Sequence, residues 1–225
     1  MFGSNTRLGD LPTAQRQTVL VATSLAGLVI GRTLSWPLWA TTVSMALPWL
    51  PFFIRWTVRS YRAQAWLGFF FLLTALQLSH FGEHTVQMVQ IHILGLQGVD
   101  ARGVFGVFDI EWVHFIWNAS VLLGVLLLLP RNPRNRWLQL TAVISAWHAL
   151  EHTYVLSVYL TTGLSGTPGL LAQGGLIGGG SPFARPDLHF LYNLVETLPL
   201  VLAFIGATQA SQRVGVRRAQ DRDSA

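Results

Sequence analysis

The chain has no cysteine, which excludes a disulfide framework, a thiolate metal site and a cysteine nucleophile. It has no lysine either, so all 15 basic residues are arginine. Charge of both signs is scarce: 11% of residues are charged, where a soluble domain carries roughly a quarter. The net charge of +5 would suit a nucleic-acid binder, but the arginines form no groove-sized patch and no recognition motif. They fall between apolar runs instead, and no nucleic-acid partner is expected.

The remainder is strongly apolar, 51% hydrophobic over 225 residues. An apolar run of about 20 residues is long enough to cross a bilayer as a helix. Six are read: 18–35, 38–55, 65–92, 111–130, 137–161 and 187–208. The expected fold is therefore all-α, a polytopic membrane protein with a segment 1–17, a six-helix domain 18–208 and a basic tail 209–225. The tail, polar and rich in arginine, is expected to be disordered or to touch lipid headgroups. Trp36-Pro37 marks a tight turn between the first two spans, and Pro48 and Pro51 should kink the second, since proline removes a donor and crowds the preceding turn. The first span lacks a small-residue cleavage site and is followed at once by another, so it is read as a retained helix.

Orientation follows from the arginines, because positive charge stays cytoplasmic. With the N-terminus inside, the inner segments hold Arg7, Arg16, Arg55, Arg59, Arg62, Arg131, Arg134, Arg136, Arg213, Arg217, Arg218 and Arg222, and the outer ones only Arg32, Arg102 and Arg185. Both termini are expected in the cytoplasm, in an inner or plasma membrane. Two outer loops result, 93–110 and 162–186. The second carries eight glycines between Gly163 and Gly180. A connection this long is either a lid or binding loop, or a flexible linker.

An internal repeat carries the chemistry. His80-Phe-Gly-Glu83-His84-Thr85 in the third span matches His148-Ala-Leu-Glu151-His152-Thr153 in the fifth. His114-Phe-Ile-Trp117-Asn118 in the fourth matches His189-Phe-Leu-Tyr192-Asn193 in the sixth. The motifs occur in the same order, which suggests a tandem hairpin duplication, 65–130 and 137–208, beside an added hairpin at 18–55. Two spans per unit preserve orientation, so the copies should be related by an axis along the membrane normal. Residues i, i+3 and i+4 share a helical face. His80, Glu83, His84, His114, His148, Glu151, His152 and His189 are thereby predicted to converge in a four-helix bundle near the outer side.

Ionisable groups inside a membrane are costly and face a bundle interior, a cavity or a partner. A transition metal satisfies neutral imidazoles and carboxylates together, and this donor set suits iron, copper or zinc, not magnesium or calcium. Bundle proteins build two-metal sites from facing helices in this way, so two ions are expected. The competing account of the same residues is a hydrogen-bonded polar network that locks the bundle. Haem fits less well, because two histidines four apart lie at nearly one depth; its remaining form is one haem with axial ligands from different helices.

Other residues have plainer explanations beside functional ones. Asn118 and Asn193 lie one turn deeper than His114 and His189. Asp109, Glu111 and Asp187 begin helices, where carboxylates meet the helix dipole, and they are also candidates to orient His114 or His189. Glu196 is a candidate proton relay, Gln77 and Gln87 flank the first motif, Trp117 and Tyr192 are candidate walls, and unpaired His92 reads as interfacial.

The function expected is a histidine-rich dinuclear iron or copper oxidoreductase or oxygenase. It would act on an apolar substrate from the lipid or a small one from the outer side. The twice-repeated H-x-x-x-H loosely resembles the membrane histidine-box oxygenases; the chain has none of their H-x-x-H-H boxes, so no residue role is transferred. H-x-x-E-H also occurs in soluble metallopeptidases of the inverted zincin type. That suggests a zinc-dependent membrane hydrolase in which Glu83 or Glu151 is the general base. A metal transporter, or a haem-binding or accessory subunit among other membrane subunits, completes the alternatives.

Overall fold

The structure, a computed structural model, describes residues 14–223. Residues 1–13, most of the expected N-terminal segment, and residues 224–225 lie outside the described residues. Among the described residues there are helices and no strand, which agrees with the all-α expectation. The chain divides into two compact units, 1–69 and 70–225.

In the first unit, α1 (Ala14–Thr33) turns at Ser35, whose φ is 53°, into α2 (Leu38–Ala46). The two helices approach closely because small residues meet. A Cβ on Gly31 would lie 2.5 Å from Thr41 Oγ1, and one on Gly27 would lie 2.9 Å from Ser44 Oγ. This is the small-xxx-small spacing that lets membrane helices touch. Trp49 Nε1 donates to Ser24 Oγ at 2.9 Å, and that hydroxyl donates to Met45 O at 2.7 Å. The prolines act as expected and go further. Pro48 lies in a single 3₁₀ turn, Leu47–Trp49, that divides the second run, and α3 (Leu50–Ala63) continues well past residue 55.

The second unit begins within α4 (Ala65–Met88), which ends in a π-helical turn, Val89–Ile93. Then come loop 94–110, α5 (Glu111–Leu128), a short link, α6 (Arg136–Thr162), loop 163–184 and α7 (Arg185–Asp223). Asn135 caps α6 by accepting from Leu138 N at 3.2 Å. Helix α5 packs on α6, and α6 on α7. The tail is helical where disorder is one of the two expectations: α7 runs on through residue 208 to Asp223. Lengthening an existing helix avoids the costly nucleation step, so a polar, arginine-rich segment can follow on.

Among the described residues, three helical stretches are long and apolar enough to cross a membrane: Ala65–Ile93, Glu111–Arg131 and Arg185–Arg213. Helix α6, with 27 residues, has the length, but Gln139, Ser145, His148, Glu151 and His152 dilute its apolar run.

Burial in the second unit is stratified along the helices. Phe70, Val125, Leu128, Leu138, Leu200 and Ala203 form an apolar layer in the loop-distal half of the helices. Toward loops 94–110 and 163–184 a polar set is buried, Gln77, His84, His114, Asn118, Ser145, His148, Glu151, His152, Asn193 and Glu196, with Val155, Leu156 and Leu188 buried at the same end. In a bilayer such an apolar layer contributes by close packing, and the polar layer by interhelical hydrogen bonds.

Candidate metal centre

The polar layer is built around six imidazoles. Helix α4 brings His80 and His84, α5 brings His114, α6 brings His148 and His152, and α7 brings His189. One nitrogen from each of His80, His84, His114 and His189 forms a group in which all lie within 4.8 Å of one another. His148, His152 and His189 form a second such group. His189 is common to both, and its ring centroid lies 4.3–6.2 Å from those of the other five imidazoles.

Within each i, i+4 pair the Nε2 atoms face each other, at 3.3 Å for His80 and His84 and 3.2 Å for His148 and His152. Two nitrogens bound to one tetrahedral ion at about 2.0–2.1 Å would stand roughly 3.3 Å apart. The outer nitrogens are occupied differently. His84 Nδ1 pairs with Gln87 Oε1 at 3.1 Å, His114 Nδ1 with Ile110 O at 3.0 Å, and His148 Nδ1 with Glu196 Oε2 at 2.7 Å. Each acceptor fixes a proton on Nδ1 and so leaves the Nε2 lone pair free, which is how metal-binding histidines are oriented. Glu196 also accepts from Ser145 Oγ at 2.5 Å, and both it and His148 are wholly buried.

Equivalent contacts recur in the two motif pairs. Asn118 and Asn193 donate to the carbonyls of His114 and His189, at 2.9 and 3.0 Å. Trp117 packs on His80 with centroids 4.9 Å apart, and Tyr192 on His148 at 5.4 Å. Gln77 ties the layer together: it donates to Asn193 Oδ1 at 3.2 Å and Thr197 Oγ1 at 3.3 Å, and accepts from Trp117 Nε1 at 3.2 Å.

The glutamates of the H-x-x-E-H motifs belong to neither nitrogen group. Glu83 accepts from Phe105 N at 2.6 Å, and Glu151 from Leu170 N at 2.8 Å. Glu83 therefore holds loop 94–110, and Glu151 loop 163–184, by its backbone. Gly103 and Gly169, with φ of 81° and 79°, press against these carboxylates where a Cβ would collide. One oxygen of each of Glu83 and Glu151, expected as ligands or bases, is thus engaged in loop anchoring. The i+3 position turns far enough from the i and i+4 positions for the loop amides to claim the side chain.

The remaining expected partners sort unevenly. Glu111 does not reach His114; it accepts from Arg185 at 2.7 and 3.0 Å and from Gly166 N at 3.0 Å. Asp187 pairs with His92 at 2.6 Å instead of orienting His189. Asp109 Oδ1 stands 3.7 Å from His114 Nε2. Sequence reasoning missed Ser145, Thr197 and the loop amides. The first two sit one turn from named residues on the same faces and were within reach of the periodicity argument.

Loop 163–184 is folded on itself. Gln173 N donates to Phe183 O at 2.8 Å, Ile177 N to Leu170 O at 2.9 Å and Ser181 N to Leu171 O at 2.6 Å, while Leu170 and Ala172 are buried. That is the form of a compact cap, not of a linker. No family model matches this chain, and no curated protein or solved structure is significantly similar to it. The site's chemistry therefore rests on its own geometry: a buried cluster of imidazoles, inside an apolar helical bundle, able to hold metal.

Proposed function

We propose that the chain is an integral membrane oxidoreductase that holds two transition-metal ions, copper or iron, near the outer side of the bilayer. The observation that carries this is the pair of inward-facing Nε2 contacts at 3.2 and 3.3 Å. Six buried imidazoles presenting lone pairs to a common centre have little to gain from one another and much to gain from a cation. His80, His84 and His114 serve one ion, His148 and His152 the other, and His189 completes either set.

Copper is favoured over iron by the donor set. The proposed donors are neutral imidazoles; Glu196 bonds to His148 Nδ1, and Asp109 Oδ1 stands 3.7 Å from His114 Nε2. The desolvation cost of a buried ion rises steeply with its charge, so a singly charged cuprous ion suits these ligands best. Copper or iron would supply one-electron chemistry there. The zinc hydrolase alternative draws less support, because Glu83 and Glu151, its candidate bases, lie outside both nitrogen groups and each gives one oxygen to a loop amide. Haem draws less support too, since imidazoles from different helices pack ring against ring, with centroids 4.3 Å apart for His84 and His189 and 5.4 Å for His114 and His152, which leaves no slot for a macrocycle.

In this account 65–130 and 137–208 are duplicated hairpins and the chain crosses the membrane six times, with both termini cytoplasmic. The recurrence of the Nε2 pairs, the asparagine bonds and the loop-anchoring glutamates supports the duplication. His114 and His189 lie near the starts of α5 and α7, with centroids 5.1 Å apart. Two parallel spans require a return crossing between them, which is the role given to α6.

The test is metal content after substitution, with an oxidation–reduction cycle followed optically. His84→Ala and His152→Ala should each remove about one ion. Loss confined to one variant would mean a single asymmetric site, and a redox-silent metal would mean zinc.

A further inference from the structure

Helix α3 belongs to the first unit and supplies no imidazole to the metal centre. Its two faces differ. Phe52, Phe53, Trp56 and Thr57 are half-buried and Ser60 is buried. A Cβ on Gly68, in the first turn of α4, would lie 2.7 Å from Tyr61 Cα, so the end of α3 is pressed against that turn. These contacts fix which face looks outward. The outward face carries two parallel rows. Leu50, Ile54 and Val58 are exposed at a spacing of four. Arg55, Arg59 and Arg62 run beside them and are exposed too. Residues three and four apart are neighbours on a helix surface, so an apolar row and a cationic row lie side by side. All six line one groove of about 1060 Å³, which is large enough for a molecule with a polar head and a hydrocarbon chain. No acid occurs between Asp10 and Glu83. Among the described residues no carboxylate pairs with Arg55 or Arg62, which leaves those two charges for a partner.

We propose that this face of α3 binds an anionic phospholipid, with the phosphate on the arginine row and an acyl chain along Leu50, Ile54 and Val58. The two rows together select the ligand. A soluble anion would leave the apolar row in water, and a neutral lipid would leave the arginines without a counter-charge. A nucleic acid offers phosphates but no hydrocarbon for Leu50, Ile54 and Val58. The guanidinium fork matches the oxygens of a phosphate, to which it donates two parallel hydrogen bonds. An amphipathic helix holds a membrane surface by buried apolar area and by attraction to anionic headgroups, each basic residue near the surface adding its share. Both are present on one groove here, and the absence of acids nearby leaves the attraction unopposed. The lipid site uses no residue of the imidazole cluster, so it stands apart from the proposed redox chemistry.

The test is lipid binding by the full chain in neutral detergent, followed by native mass spectrometry with dioleoylphosphatidylglycerol against dioleoylphosphatidylcholine. The parent should hold phosphatidylglycerol more tightly. Arg55→Gln combined with Arg62→Gln should weaken that binding roughly 30-fold, the effect of two arginines at a membrane surface, and leave phosphatidylcholine binding unchanged. Arg131→Gln combined with Arg134→Gln removes the same charge elsewhere and should leave phosphatidylglycerol binding near that of the parent. Glycerol phosphate, the headgroup without its chains, should fail to displace the lipid. Equal affinity of the parent for the two lipids would overturn the proposal without recourse to any variant. So would displacement by glycerol phosphate, tighter capture of a short oligonucleotide than of the lipid, an α3 double variant that binds as the parent does, or an equal loss in the two double variants.

Discussion

Replacing Glu196 with alanine strips the carboxylate hydrogen-bonded to His148 Nδ1, and the structure sets the size of the effect. Two buried donors lose their acceptor: His148 Nδ1, at 2.7 Å, and Ser145 Oγ, at 2.5 Å. Each orphaned donor costs about 1–3 kcal/mol, so the variant should be less stable by about 2–6 kcal/mol. The second effect is on metal. Loss of the outer partner of a ligating histidine typically lowers affinity 10–100-fold, about 1.4–2.8 kcal/mol. Because Glu196 touches His148 and none of His80, His84 or His114, only the ion of the second group should weaken. Chelator competition on detergent-purified protein would resolve the two affinities, with melting temperature recorded in parallel. Glu196→Gln keeps an acceptor oxygen and should recover part of both losses. Ser145→Ala should lower stability by about 1 kcal/mol and leave metal affinity near that of the parent. If Glu196→Ala left both affinities unchanged, or weakened the two ions equally, the orienting role given to Glu196 would be wrong.

Gly169→Ala should loosen the cap. A φ of 79° costs a side chain roughly 1–2 kcal/mol, the new Cβ displaces Glu151 Oε1, and hydrogen exchange across 163–184 should rise while the helices stay protected. Gln77→Leu removes three interhelical bonds; at about 0.6 kcal/mol each in a membrane, the loss should be near 2 kcal/mol by unfolding in mixed micelles, and no loss would deny that layer a structural role. A reporter fused after Ala225 should be active only in its cytoplasmic form; activity on the outer side would reverse the orientation drawn from the arginines.

Whatever depends on spacing along one helix is legible in the sequence. The i, i+4 histidine pairs and the two H-F-x-x-N strings put six imidazoles on inward faces, and the structure brings all six together. Pro48 and Pro51 mark the break in the second run. What spacing cannot supply is the partner of a side chain that can reach two ways. Glu83 and Glu151 stand near the histidine face, yet backbone N–H groups from loops distant in sequence take them. The same limit hides the pairing of Glu111 with Arg185, and of Asp187 with His92. Glu196 is visible as an acid two turns from His189, but its attachment to His148 needs the packing of α6 on α7. The helical tail escapes a reading of composition, which does not register that a helix already under way needs no new nucleus.

The central claim is that the facing imidazoles exist to hold metal. Elemental analysis of the purified chain, with an optical spectrum of the same sample, tests it most directly. The account predicts two copper or iron atoms per chain and no Soret band; a folded protein carrying no transition metal, or one carrying haem, would contradict it.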